Sequence, residues 1–192
     1  FRSLIARGRD RLLVYGETAL PPPASGVQHR IGFEYRRDES YTARLDGQDV
    51  RTLAELPGAF FVEVIDPEVH RLVEGGPGER RRWLDWGVFH VEHPFLEHWV
   101  RYSRALRQRN AALKAGQDPR AWDGELLTHG LEVARLRSHW YAALHPVWTD
   151  TLSRLCGLPV EMSLYRGWGQ DREFAEVLEA NMVRDRERGS TA

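Results

Sequence analysis

The pattern of hydrophobic and polar residues changes near Gly76. Before this point, short apolar segments that partly alternate with polar residues predict antiparallel strands. These segments lie at residues 11–20, 28–37 and 41–46. Turn-forming residues at 21–26 and 37–40 separate them. Residues 60–65 form a compact apolar run, which predicts a buried strand.

Two helical segments are predicted before Gly76. Residues 51–56 favour one or two helical turns. Asp66 suits an N-cap and Pro67 the first helical position, so residues 66–74 predict a short helix that ends at the following glycines.

After Gly76 the apolar residues follow a helical period. Pro77 begins a predicted helix that contains residues 80–86, and Pro94 begins a longer one that runs to about Ala115. Apolar residues of the longer helix fall within a ~60° arc at about 100° per residue, so this stripe should face a partner helix. The stripe consists of Phe95, Trp99, Tyr102, Leu106 and Leu113.

The predicted partner helix runs from about Pro119 to Leu155. Its apolar residues recur at helical spacing, and we expect it to pack antiparallel to the preceding helix. Pro146 interrupts the pattern and is expected to kink or break the helix. Residues 160–165 predict a last strand, and residues 173–188 predict a charged helix. The fold class is therefore α+β, a mixed sheet with an inserted antiparallel helical segment, which is compatible with many functions.

Composition indicates an ordinary globular chain, with 42% hydrophobic and 29% charged residues. No apolar run approaches the ~20 residues that a membrane span needs, and we expect a cytoplasmic location without membrane contact. The single cysteine, Cys156, excludes an internal disulfide and a cysteine zinc cluster, and a core position is expected for it. Because Phe1 is not an initiator methionine, we expect a fragment.

The charged residues limit the classes of ligand. The net charge is −1, so any contact with DNA requires a local basic face. Of the 27 basic residues only Lys114 is lysine, a bias that a GC-rich genome alone can produce. Lys114 follows Asn-Ala-Ala-Leu rather than a glycine-rich loop, so the chain has no P-loop.

Residues 67–85, PEVHRLVEGGPGERRRWLD, closely resemble the signature of the RecF family. That signature is Pro-Glu, a hydrophobic residue, Gly-Gly-Pro, an Arg pair and then aromatic-Leu-Asp. The chain departs from it at Trp83, where the family usually carries Phe or Tyr, and this retains an aromatic ring. Further segments agree in the same order, so the resemblance covers nearly the whole chain. These are Trp86–Gly87 with His90 and Glu92, residues 106–113, Trp122–Asp123, residues 166–168 and residues 175–178.

The resemblance implies part of an ABC/SMC-type ATPase head with an inserted helical lobe. Residues 1–76 would be the rear of the first head lobe, residues 77–157 the helical lobe, and residues 158–192 the return to the head. The complete protein would bind ATP and Mg, form a homodimer with ATP, and act with RecO and RecR. It would bind single-stranded DNA and gapped or junction duplex DNA to help a recombinase load.

The same resemblance implies that the ATP-binding residues lie largely outside this chain. The Walker A loop would precede Phe1, and the signature motif and Walker B acids would follow Ala192, so we expect the fragment neither to bind nor to hydrolyse ATP. Arg2 lies where related ATPases carry an arginine near nucleotide and DNA, and a surface arginine is the alternative. Glu63 lies roughly where ABC ATPases sense magnesium and γ-phosphate, and a solvent-facing strand residue is the alternative.

Arg80, Arg81 and Arg82 form a first candidate for nucleic-acid binding. They lie at the start of a helix, where the macrodipole disfavours positive charge, so carboxylates or DNA phosphates are expected nearby. Three consecutive residues cannot share one helix face, so at least one should be structural, for example by pairing with Asp85.

A second candidate is a basic ridge on the helix that begins after Pro94. Its members lie largely opposite the apolar stripe, and Arg109 lies nearer the apolar side, which favours a structural role. The basic ridge consists of Arg101, Arg104, Arg107 and Lys114. Two interpretations remain open: a DNA-binding face, or the solvated face of a helical dimerisation or partner-binding module without DNA contact.

Other chemistry has weaker support. His90 and His93 are a helical turn apart, but Pro94 breaks the geometry and no second cluster completes a metal site. No Gly-x-Ser-x-Gly motif indicates a nucleophilic triad. The tryptophans at helical spacing can stack on bases, and a core position is the usual alternative. They are Trp122, Trp140, Trp148 and Trp168.

Overall fold

A computed structural model describes residues 1–18, 29–58, 70–157, 160–169 and 171–191. The chain divides into two compact units, Phe1–Val69 and His70–Ala192. The first contains a sheet and the second contains helices, so the fold is α+β.

The described strands of the first unit form one antiparallel sheet in the order β1-β2-β3-β4. The strands are β1 (Arg11–Thr18), β2 (His29–Arg36), β3 (Tyr41–Leu45) and β4 (Gln48–Asp49). The three predicted antiparallel strands are thus confirmed. Asp46 and Gly47 join β3 to β4 with φ of 53° and 83°, the pair of positive values that a tight Asp-Gly hairpin turn requires.

Short 3₁₀ helices flank this sheet at Arg2–Leu4 and Leu53–Gly58, and the second confirms the helical turn predicted near residues 51–56. The predicted strand at residues 60–65 lies outside the described residues, as does most of the first half of the predicted helix at 66–74.

The second unit is helical. Its helices are α1 (Arg71–Glu74), α2 (Pro77–Val91), α3 (Phe95–Lys114), α4 (Asp123–Cys156), α5 (Phe174–Ala180) and α6 (Met182–Arg188). Helices beginning at Pro77 and directly after Pro94 confirm the two starts predicted from proline. The charged segment 173–188 forms two helices rather than one, and Glu173 is the N-cap of α5, with a reciprocal capping box to Glu176.

The helices enclose a core built around α3 and α4. Val88, Phe95, Val133 and Leu136 form one buried cluster. Ala105, Leu126 and Leu178 form a second, which brings α5 against the α3–α4 pair. The apolar stripe of α3 faces this core as expected, except that Trp99 lies at its edge, 38% exposed, with its indole N–H donating to Asp85.

Pro146 does not end α4, which continues without interruption to Cys156. The missing N–H leaves the carbonyl of Ala142 without its helical partner, and Ala142 is exposed, so solvent can satisfy that oxygen. The expectation of a break at Pro146 is therefore wrong, and the alternative of a kink stays a prediction.

Two further expectations are corrected. Residues 160–165 form no strand; Tyr141 Oη donates to the carbonyl of Met162 at 2.6 Å, and Tyr165 is 77% exposed. Cys156 is exposed rather than buried. With 34 residues, α4 is much longer than the 20-residue α3 that it packs against, so its last turns extend past that partner.

Among the described residues, no helix combines the length and apolar character required to cross a bilayer.

Candidate nucleic-acid interface

The basic ridge lies on the outer face of α3. Arg104, Arg107 and Lys114 are exposed and form no ion pair with any described residue. Arg101 pairs with Glu97 at 3.4 Å, but both side chains are more than half exposed, so this pair contributes at most about 1 kcal/mol. All four cations are therefore available to an anionic ligand.

An open pocket of about 410 Å³ borders one side of this ridge. It is lined by Arg101 and Arg104 together with Ala105, Trp122 and Glu125. Trp122 is half-buried here, at the end of the short 3₁₀ helix Pro119–Trp122 that precedes α4. The pocket lining therefore combines one tryptophan, two arginines and one acidic residue.

Arg109 differs from its neighbours on α3 because its side chain is completely buried. Its Nε donates to Asp123 Oδ1 at 2.8 Å, and its Nη1 donates to Asp185 Oδ2 at 2.7 Å and to Thr191 Oγ1 at 2.7 Å. The structural role that helical geometry suggested for Arg109 is confirmed. The partners Asp185 and Thr191 carry no local sequence signal, because they lie 76 and 82 residues away.

The three arginines at the start of α2 have different environments. Arg80 Nη1 donates to the carbonyl of Gly75 at 2.8 Å, with longer bonds to the carbonyls of Leu72 and Val73, and so caps the end of α1. Arg82 pairs with Glu79 on its own helix. Among the described residues, Arg81 is exposed and forms no ion pair.

Asp85 does not pair with these arginines, so the pairing suggested for one of them in the sequence analysis is wrong. It accepts two hydrogen bonds from Arg137 of α4, at 2.7 and 2.9 Å. Together with the bond from Trp99, Asp85 therefore connects α2, α3 and α4 at one point.

Gly75 of the signature segment has a local explanation. A Cβ atom at Gly75 would overlap the carbonyl oxygen of Arg71, so any larger residue would displace the end of α1. Pro77 occupies the first turn of α2, where its missing N–H costs nothing. The Gly-Gly-Pro segment thus forms a tight connection that brings α1 to the Arg80 side chain.

The two ATP-related candidates are Arg2 and Glu63. Arg2 is exposed in the 3₁₀ helix Arg2–Leu4. Glu63 lies outside the described residues.

The histidines are distributed among separate contacts. His98 Nδ1 and His129 Nδ1 are 3.0 Å apart between α3 and α4, and His129 also pairs with Glu125. His90 bonds the carbonyl of Trp86 at 2.7 Å. In the part of the chain that the structure describes, no group of three or more potential ligands could hold a metal ion.

The tryptophans fall into two groups. Trp140 and Trp148 pack against Trp83 with ring centroids 5.5 and 6.2 Å apart, and Trp168 stacks on Phe174 at 4.5 Å. These rings serve packing, whereas Trp122 lines the pocket beside the basic ridge.

Comparison with curated proteins shows extensive similarity. The chain is 42% identical over 183 residues to the DNA replication and repair protein RecF of Pseudomonas aeruginosa strain LESB58. It is 43% identical over the same length to that of Pseudomonas putida strain F1. Each match covers 93% of this chain. The resemblance to the RecF family is confirmed.

The chain spans about half the length of these relatives, 49% in both cases. No protein-family model matches the chain.

Solved structures support the same fold. A structure of "the recombination mediator protein RecF-ATPrS in RecFOR pathway" superimposes with a TM-score of 0.79 at 19% identity, covering 100% of this chain and 55% of the other. A second, of "RecF-ATP" in the same pathway, gives 0.71 at 17% identity, covering 99% and 54%. The α+β fold is therefore that of RecF structures.

Proposed function

We propose that this chain is the central part of a RecF-type DNA replication and repair protein and that its basic ridge contacts DNA phosphates. The observation that carries the proposal is that the basic residues of α3 fall into a buried group and an exposed group. The one arginine on its packed side, Arg109, is buried and pairs with Asp123 and Asp185, whereas the outward cations Arg104, Arg107 and Lys114 have no described ionic partner.

The charge and shape of the ridge side chains suit an anionic ligand such as phosphate. The chain has a net charge of −1, so its overall field does not attract nucleic acid and a local basic surface is required. Guanidinium groups match phosphate oxygens with paired hydrogen bonds, and three of the four ridge residues are arginine. Such contacts position a protein on DNA without reading its sequence.

We extend the proposal to the complete protein. Residues 1–76 belong to the ATPase head, residues 77–157 to the helical lobe, and residues 158–192 to the return to the head. The complete protein binds ATP with Mg, dimerises when ATP is bound, and works in the cytoplasm with RecO and RecR at gaps and at junctions of single- and double-stranded DNA. The names of the solved relatives, which mention ATP and the RecFOR pathway, support this extension.

A triple substitution tests the ridge. Arg101→Gln, Arg104→Gln and Arg107→Gln together should weaken binding of a fluorescent gapped duplex by roughly tenfold or more at about 50 mM salt, equally for unrelated sequences. The measurement is fluorescence anisotropy, with circular dichroism to show that the fold is retained.

A charge-matched triple variant provides the control. Arg135→Gln, Arg154→Gln and Arg172→Gln remove the same charge from exposed positions outside α3. This control should bind the gapped duplex nearly as well as the unmodified chain. Equal losses in the two variants would show that only net charge matters and would remove the ridge from the proposal.

The second candidate is a helical partner-binding module without DNA contact. It is favoured by the apolar residues left exposed on the last turns of α4, with Val147 at 62% and Leu155 at 76% exposure. Under this alternative, the arginine variants would leave DNA affinity unchanged, whereas Val147→Ser with Leu155→Ser would abolish self-association in analytical ultracentrifugation.

A further inference from the structure

Helix α6 carries a second group of cations that sequence analysis did not single out. Arg184, Arg186 and Arg188 are all exposed, and none forms an ion pair with a described residue. The inward side of α6 is formed by Met182 and Asp185, both buried. The short helix therefore has one packed side and an outer surface that carries three arginines together with Val183 and Glu187.

Buried polar contacts hold α6 against α3. Asp185 accepts the 2.7 Å hydrogen bond from Arg109, and neither side chain is exposed. Just beyond α6, the backbone N–H and the hydroxyl of Thr191 both bond Asn110 Oδ1 at 2.8 Å. These contacts fix the position of α6 relative to the basic ridge, because Asn110 lies between Arg107 and Lys114 on the same helix.

The end of α6 lies directly beside the end of the ridge. A Cβ atom at Gly189 would lie 3.3 Å from Lys114 Cγ, so the two backbones approach closely at this point. Arg188 immediately precedes Gly189. Arg184 lies one helical turn before Arg188 and shares its face, whereas Arg186 points about 160° away at about 100° per residue.

We propose that Arg184 and Arg188 extend the basic ridge across α6 and form with it a two-helix surface for the phosphate backbone of nucleic acid. This inference rests on the proposed function and adds α6 to it. Cations on α3 and on α6 are fixed relative to one another by the Arg109–Asp185 pair, so the surface is suited to successive phosphates along a strand. An acidic protein surface is the competing ligand, and the test separates the two.

The test compares two charge-matched double variants of the chain. Arg184→Gln with Arg188→Gln removes the α6 contribution, and Arg186→Gln with Arg172→Gln removes equal charge from positions outside the proposed surface. The first should lower affinity for a gapped duplex several-fold and reduce the slope of log K against log salt by about 1.8, which corresponds to two phosphate contacts. The second should change that slope by less than about 0.5 unit.

The outcomes distinguish this inference from the proposed function. If the α3 triple variant loses affinity and both double variants match the unmodified chain, the α6 inference is overturned and the ridge stands. If the unmodified chain shows no salt-dependent DNA binding, both fail. Competition by polyglutamate as effective as that by DNA of equal charge would also overturn the inference, because the surface would then favour acidic protein.

Discussion

Arg109 on α3 and Asp185 on α6 form an ion pair with N–O distance 2.7 Å, and neither side chain is exposed to solvent. Removing one member leaves an uncompensated buried charge, so Arg109→Met or Asp185→Leu alone should cost about 3–5 kcal/mol of unfolding free energy. Urea denaturation followed by circular dichroism measures this loss. The exposed pair Arg120–Glu179 gives a control, since Arg120→Gln should cost less than about 1 kcal/mol.

The double variant Arg109→Met, Asp185→Leu tests whether the two side chains interact energetically. Apolar groups of similar volume can replace a buried ion pair at little cost, so the double variant should recover more than about half of the loss in either single variant. The remaining partner, Asp123, is partly exposed and can be hydrated. Losses that simply add would show that the two side chains do not interact energetically.

Gly87 of α2 lies directly under the Trp140 ring, and a Cβ atom there would overlap the indole. Gly87→Ala should therefore destabilise the chain by about 1–3 kcal/mol, in spite of the higher helix propensity of alanine. Gly78, in the same helix, has open space around its Cβ position. Gly78→Ala is the matched control and should be neutral or stabilising by up to about 1 kcal/mol in thermal denaturation. A stable Gly87→Ala variant would contradict the packing of α2 on α4.

Asp85 connects three helices through Arg137 and Trp99, and a double-mutant cycle can isolate its main contact. Asp85→Asn and Arg137→Gln should each destabilise the chain, with a coupling energy of about 1–2 kcal/mol, because the bidentate pair is only one-fifth exposed. The pair Arg82–Glu79 serves as comparison. Its side chains are 74% and 36% exposed, so a coupling near zero is expected there.

Local sequence patterns predicted the features that depend on local geometry. Pro77 and Pro94 identified two helix starts because proline suits the first turn, and the helical period separated the buried Arg109 from the exposed Arg107. Alternation at residues 160–165 predicted a strand wrongly, because the pattern contains no information on whether a sheet edge is available. The exposure of Cys156 followed from the unequal lengths of α3 and α4, which periodicity does not reveal.

Long-range partners could not be predicted from the sequence. Asp185 is an ordinary acidic residue in a charged helix, and only the fold brings it to Arg109. The same applies to α6. In the sequence its arginines indicate an ordinary solvated helix face, and only the structure shows that Gly189 lies beside Lys114. The assignment of Arg80 as a cap for α1 likewise depends on how Gly75 and Pro77 turn the chain.

The salt dependence of DNA binding tests the central claim most directly. For the unmodified chain, log K for a gapped duplex should fall linearly with log salt, by about 0.9 unit per phosphate contact. The variant Arg101→Gln, Arg104→Gln, Arg107→Gln should keep its fold and show a slope smaller by about 2.7 units. The control variant Arg135→Gln, Arg154→Gln, Arg172→Gln should show the same slope as the unmodified chain. A folded triple variant with the affinity and slope of the unmodified chain would contradict the assignment of the basic ridge to DNA.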